Sequence, residues 1–218
     1  MRIKASKMKQ CDDTLRGLVV NSEIPYCFRQ YAEAMTADVN ALDIQTVGSN
    51  EGNFTGAWLN IDGWQDRKAH FIGWILQFHR TSVLFLLDTR LDETQCSYAA
   101  TKLKSLLGIG YMISSVPVKK PGVVGGIIAI TDPTWKHLLT KRTVDAHHLK
   151  LHMALSFKTI DHPITIIGTY WPCKSIDKPG SLWNQTLQCL AGIGTQMSPI
   201  DYVKRSLEDL VMKLATTA

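Results

Sequence analysis

Two apolar runs, each ending in a polar residue, enclose an amphipathic stretch, and this limits the fold more than anything else in the chain. The first run is Ala57-Trp58-Leu59-Asn60-Ile61-Asp62-Gly63, and the second is Val83-Leu84-Phe85-Leu86-Leu87-Asp88-Thr89-Arg90-Leu91. Between them Phe71, Ile75 and Phe78, flanked by Ile72 and Leu76, recur at helical spacing. The spacing predicts a helix over 66–79. A continuous apolar run bounded by polar residues predicts a buried central strand over 83–87. Strand, helix and strand in this order point to an α/β fold. In such folds ligands collect beyond the carboxyl ends of the strands. Asn60 and Asp88 fall at those ends, with Asp62 two residues past Asn60. An amide and carboxylates there suit a hard divalent cation and the phosphate it holds.

Upstream, residues 1–53 carry no sustained period beyond a short possible helix over 31–42. They end in the turn-rich cluster Gly48-Ser49-Asn50-Glu51-Gly52-Asn53. An irregular N-terminal extension is expected there, followed by one folded domain over 54–218. Downstream, Asp92-Glu93-Thr94-Gln95 has the wording of a capping box. The helix it opens carries Ala99, Leu103, Leu106 and Leu107 and stops at Gly108. Strands are expected over 110–116 and 125–130, the second broken by Asp132-Pro133. The stretch 144–157 alternates loosely, with Leu149, Leu151, Met153 and Leu155 on one face. Residues 164–170 read as a further central strand. One helix starts near Ser181, and a last one has Ser198 as cap and Pro199 at its first position.

Composition excludes several classes. No apolar run approaches the roughly 18 residues of a membrane span. The basic N-terminus lacks the apolar core of a secretory signal. The five cysteines are an odd number, scattered, with no Cys-x-x-Cys pair, which argues against a disulfide framework or zinc ribbon. An intracellular, reducing location, nuclear or cytoplasmic, is the expectation. The net charge of +5 is compatible with a polyanionic partner.

The motif order is now on the page: Asn60-Ile61-Asp62-Gly63, a helix, Leu87-Asp88-Thr89-Arg90-Leu91, Gly125-Gly126-Ile127-Ile128-Ala129-Ile130, then Gly168-Thr169-Tyr170-Trp171-Pro172. This order resembles the N-terminal part of the endonuclease/exonuclease/phosphatase superfamily, the deoxyribonuclease-I-like fold. Asp-Thr-Arg-Leu is similar to the endonuclease domains of non-LTR retrotransposons, whose cellular relatives are the abasic-site endonucleases. The resemblance covers about residues 54–215. It implies a layered α/β-β-α sandwich, truncated at its C-terminus, and Mg²⁺- or Mn²⁺-dependent cleavage of phosphodiesters in DNA, or RNA. Carried over by position, Asn60 would orient a catalytic group or the scissile phosphate. Asp62 would sit beside the metal pocket, Asp88 would bind the metal with Asn60 near it, and Tyr170 would approach the phosphate.

The chain departs from the pattern at two positions. Asp88 is one methylene shorter than the family's glutamate, so a metal would need a bridging water. Cys173 stands where the abasic-site branch carries a phosphate-contacting asparagine, and a thiol is a poor donor. The family's downstream Gly-Asp-x-Asn and Asp-His elements have no counterpart before Ala218. Groups of that kind act as a unit, so weak or absent activity is the expectation.

Blander explanations stand beside each of these. Asn60 and Asp62 are also ordinary turn formers. Tyr170 also fits an interface aromatic. His147, His148 and His152 fit a surface strand better than a zinc site, since no acidic or cysteine partner lies close by in sequence. Gly122, Gly125 and Gly126 lack the Lys-Ser/Thr ending of a phosphate loop and suit a turn feeding a strand. Arg90, Lys119, Lys120, Lys141 and Arg142 are candidates for contact with nucleic-acid backbone, or a solvated charged surface. Three functions therefore compete: a metal-dependent endonuclease domain, a non-catalytic nucleic-acid-binding remnant of a mobile element, and a small-molecule phosphatase.

Overall fold

The computed structural model describes residues 44–47, 54–78, 81–145, 149–159, 163–172 and 180–216. The chain runs β1 (Ile44–Val47), β2 (Gly56–Asn60), α1 (Asp66–Phe78), β3 (Val83–Leu87), α2 (Glu93–Leu107), β4 (Met112–Val116), β5 (Ile127–Thr131) and α3 (Pro133–Lys136). It continues through β6 (Leu139–Val144), β7 (His152–Phe157), β8 (Ile164–Thr169), α4 (Leu182–Gly192) and α5 (Pro199–Ala215). This is a mixed α/β protein with two sheets, ordered β1-β2-β3-β5-β4 and β6-β7-β8. In the larger sheet β2 and β3 run parallel and the other pairs antiparallel.

β3 lies between β2 and β5, and Val83 to Leu86 are fully buried. Its alternating side chains serve two cores. Leu84 and Leu86 join Ile72 and Ile75 of α1 and Ala99 and Leu103 of α2. Val83 and Phe85 face the other way and meet Met153, Leu155 and Phe157 of β7 and Ile166 of β8. The two faces of β3 thus belong to two separate apolar clusters, one shared with α1 and α2 and the other with β7 and β8. Burying a side chain such as Phe85 stabilises by about 2–3 kcal/mol. Its place also requires Gly168: a Cβ there would lie 2.2 Å from the Phe85 ring. The indole of Trp58 stacks beside Phe85 and donates across to the Ile167 carbonyl at 3.1 Å.

Local signals in the sequence correspond to real devices. Asp92 and Gln95 form the reciprocal capping box of α2, and Gly108 ends that helix. Ser198 caps α5, with Pro199 in its first turn. Other expectations need correction. Ile44–Val47 lies inside the stretch expected to be irregular, yet it pairs antiparallel with β2. The rest of 1–53 lies outside the described residues. Asp132-Pro133 does not merely break a strand: Asp132 caps the short α3. The whole of 109–157 reads as β in the sequence, but the strand Leu139–Val144, just before the loosely alternating stretch 144–157, has no bounds of its own there. Its Lys141 and Arg142 are exposed, and charged edge strands of this kind resist edge-to-edge pairing. Ile164–Thr169 is an edge strand of the second sheet, not a central one.

Candidate functional site

The carboxyl ends of β2 and β3 are held together past the last strand residues. Ile61 N–H donates to the Leu87 carbonyl at 3.0 Å, Gly63 N–H to Asp88 at 2.8 Å and Trp64 N–H to Thr89 at 2.9 Å. Lys68, from the first turns of α1, reaches back to the carbonyls of Ile61, Gly63 and Asp62. No sequence signal marks this role for Lys68. The loop after β2 is therefore fixed from both sides.

Asp88 is turned inward. Its carboxylate accepts from Gly125 N–H at 2.8 Å, from Arg90 Nε at 3.2 and 3.3 Å and from Arg90 Nη2 at 2.8 Å. The same Nη2 also donates to Asp62 Oδ1. Side-chain exposure runs from 3% at Asp88 through 31% at Arg90 to 82% at Asp62. One guanidinium thus bridges a buried carboxylate to a solvent-facing one. The hydrogen bond to Asp88 raises the Arg90 pKa above its ordinary value; burial opposes this, and the charges of Asp88, Asp62 and Tyr170 add to it.

The backbone is strained at the same place. Asp62 (φ 46°), Asp88 (φ 58°) and Arg90 (φ 57°) all lie in the left-handed region, as does Lys150 elsewhere. Each such residue costs of order 1–3 kcal/mol and persists only where the surroundings hold it. Here Arg90 N–H donates to Gly125 O at 2.8 Å, and Arg90 O accepts from Gly122 N–H at 3.0 Å. Gly126 must be glycine twice over. Its φ is +83°, and a Cβ would lie 2.5 Å from Thr89 Oγ1. The Gly125-Gly126 pair, read as a simple turn, is what lets a main-chain N–H reach Asp88.

Asn60 is exposed at the end of β2, and its Oδ1 accepts from Asp62 N–H at 3.1 Å, the bond of a turn-forming asparagine. Tyr170 follows β8 directly. Its N–H donates to Leu151 O at 3.0 Å, and it packs partly buried against the apolar cluster that holds Leu151, Leu182 and Val203. Trp171 beside it is 41% exposed. The structure thus links Asn60, Asp62, Asp88 and Arg90 through hydrogen bonds, while Tyr170 enters only as the smallest electrostatic influence on Arg90. Lys119 and Lys120 are exposed on the turn clamped by Val118 N–H to Leu91 O (2.8 Å) and Gly122 N–H to Arg90 O. Arg142, next to Lys141 on β6, donates to Ser115 O at the end of β4 and so ties the two sheets together. Cys173, His147 and His148 lie outside the described residues.

A divalent metal fits this donor set poorly. Mg²⁺ needs octahedral oxygen ligands at about 2.0–2.1 Å. Both Asp88 oxygens are already engaged by Arg90, one also by Gly125, and Asp62 Oδ1 is engaged by the same guanidinium. Among the described residues no three His, Cys, Asp or Glu side chains converge on a metal position. Holding Mg²⁺ or Mn²⁺ at Asp88 would require displacing Arg90.

A second polar cluster escaped the sequence. His152, expected on a surface strand without an acidic neighbour, is fully buried, because the two-strand arrangement folds Asp145 back onto it. Asp145 Oδ2 accepts from Leu151 N–H at 2.8 Å, His152 N–H at 3.1 Å and the Ser206 hydroxyl of α5 at 3.4 Å. The His152 ring lies 4.0 Å from Asp145 and 3.2 Å from the Thr169 hydroxyl. Burial first, then Cys189 and Asp145, pushes the Tyr202 phenol up to about 12.

No known family matches the sequence, and no curated protein matches it. Among solved structures, the crystal structure of truncated Caenorhabditis elegans TDP2 is a distant neighbour. The likeness covers 63% of this chain at 16% identity, with a TM-score of 0.37. The chain spans about half, 53%, of that structure's length. A likeness of that size fixes no fold family. Among the described residues no helix is long and apolar enough to cross a membrane.

Proposed function

We propose that this chain is a nuclease-like domain on the deoxyribonuclease-I-like plan, in motif wording nearest the retrotransposon and abasic-site endonucleases, and that it engages the phosphodiester backbone of DNA. The observation that carries this reading is the convergence of Asn60 and Asp62 with Asp88 and Arg90, from two strand ends, beside the exposed Lys119-Lys120 turn. Strand ends are where α/β folds bind phosphate-bearing ligands. Helices against one face of β3 and a second sheet against the other suit the layered plan. Asn60 and Tyr170 are the residues assigned to the phosphate, Asp62 stands beside the metal pocket, and Lys119 and Lys120, with Lys141 and Arg142 further along, are assigned to the flanking backbone. A protein of this kind works inside the cell, where DNA is.

A non-catalytic, nucleic-acid-binding form of the same domain is favoured by one observation. Arg90 engages both oxygens of Asp88 and Oδ1 of Asp62, so the buried carboxylate already has a cation as its partner. Supercoiled plasmid tests activity and binding together. With Mg²⁺ or Mn²⁺, the wild type is expected to retard plasmid or labelled duplex while nicking no faster than Asp88→Ala. Nicking by the wild type that Asp88→Ala abolishes would establish a working hydrolytic centre. No retardation at low salt would remove DNA as the ligand.

A further inference from the structure

We propose that Arg90 is the resident cation of the strand-end site: its guanidinium fills the position between Asp62 and Asp88 where a divalent metal would sit, and only its withdrawal turns the pair into a metal site. A single atom carries the geometry. Arg90 Nη2 donates to Asp62 Oδ1 on one side and, at 2.8 Å, to Asp88 Oδ2 on the other. A cation at the Nη2 position therefore faces one oxygen from each of two carboxylates. Nε of the same guanidinium occupies the remaining Asp88 edge at 3.2 and 3.3 Å, and Gly125 N–H completes the set at 2.8 Å.

The exchange of Arg90 for a metal is resisted for three reasons. Guanidinium is always charged, so it cannot vacate the site by deprotonation. Its planar fork matches a carboxylate edge in two parallel bonds. The main chain on both sides of Arg90 is clamped, by its N–H to Gly125 O and its carbonyl to Gly122 N–H, so the side chain is delivered rather than recruited. A metal entering the wild type would leave this guanidinium over Asp62 and Asp88 as a like charge. Removing the guanidinium leaves two carboxylates on one point, an arrangement that draws a cation. The inference rests on the Arg90 geometry and holds whether or not DNA binds, so the metal and DNA titrations fail independently.

The test is a Mn²⁺ titration of the full chain, reading free hexaaqua Mn²⁺ by electron paramagnetic resonance. Arg90→Gly is the main variant, since glycine takes the left-handed φ of 57° without strain while removing the fork. We expect Arg90→Gly to bind Mn²⁺ at least about tenfold more tightly than the wild type, with two carboxylates available to the ion. The gain should vanish in Arg90→Gly/Asp62→Ala. Melting with and without Mn²⁺ provides a second readout: metal should stabilise Arg90→Gly and leave the wild type unmoved. Should Arg90→Gly fail to fold even with Mn²⁺, Arg90→Lys is titrated in its place. It keeps a charge but not the fork, and about a threefold gain is expected. Equal affinity in wild type and variant, or a gain that survives loss of Asp62, would overturn the proposal.

Discussion

Asp88 and Asp145 each follow directly on a strand and each is buried, yet they sit in opposite kinds of surroundings. Asp88 is paired to a half-exposed arginine, which reaches on to a carboxylate in open solvent, and three residues of that group have left-handed backbone. Asp145 is closed in by two main-chain N–H groups, the Ser206 hydroxyl and a fully buried histidine, and its own backbone is not left-handed, although Lys150 (φ 48°) in the reversal just before Leu151 is. A polar group shut off from water and held from several elements ties those elements together, here the second sheet to α5. A polar group held on strained backbone at an opening is poised for a ligand. Burial of a carboxylate alone does not distinguish the two.

The sharpest way to break this contrast is to truncate both. Asp145→Ala leaves two buried main-chain donors and Ser206 without their acceptor, at about 1–3 kcal/mol per stranded group. A loss of about 4 kcal/mol in urea unfolding is expected. Asp88→Ala strands only Gly125 N–H, because Arg90 can turn to water and to Asp62, though alanine must adopt φ near 58°. About 2 kcal/mol is expected there. Equal losses at the two sites would mean that Asp88 is as much a structural fastener as Asp145.

A smaller effect tests the sealed side by pH. The Tyr202 phenol is pushed up to about 12, above its ordinary value near 10. The folded state then holds a proton that the unfolded state has released. The stabilisation is therefore complete below pH 10 and is lost as pH rises from about 10 to 12. Subtracting the Tyr202→Phe profile from the wild-type profile should isolate that loss. Superimposable profiles over this window would mean that the phenol is not sealed among α4, α5 and Asp145.

The sequence revealed the first half of the fold more fully than the second, for physical reasons. Val83–Leu87, the Asp92 capping box and the Ser198-Pro199 start are strong local signals, and each marks what it signals. Leu139–Val144, inside a stretch that reads as β, had no visible bounds because an exposed edge strand carries lysine and arginine instead of an apolar run. At the site, order along the chain was enough to name Asn60, Asp62, Asp88 and Tyr170. It could not show that Arg90 stands between two of them, since that depends on side-chain direction set by three positive-φ residues. Lys68 was missed because its partners are carbonyls, which carry no sequence identity. Asp145 and His152 looked unrelated because their contact depends on a chain reversal between β6 and β7, and no apolar period marks that reversal.

The smallest expected change in stability belongs to the turn that borders the open site. Lys119 and Lys120 are exposed, and the bonds that clamp their turn are main-chain bonds from Val118 and Gly122, which side-chain replacement leaves in place. Lys119→Glu/Lys120→Glu should therefore move unfolding by no more than about 0.5 kcal/mol. Its effect on DNA should be out of proportion to that. Each phosphate contact made by a lysine contributes about 0.9 to the slope of log affinity against log salt. Loss of both contacts should lower the slope by about 1.8, read by anisotropy of a labelled duplex across a salt series. Asp145→Ala, measured under conditions where it remains folded, should leave the slope unchanged, since the sealed cluster meets no phosphate. If reversing the two lysines leaves both affinity and slope intact, the turn is only a solvated surface. The open side of the molecule would then meet DNA elsewhere or not at all.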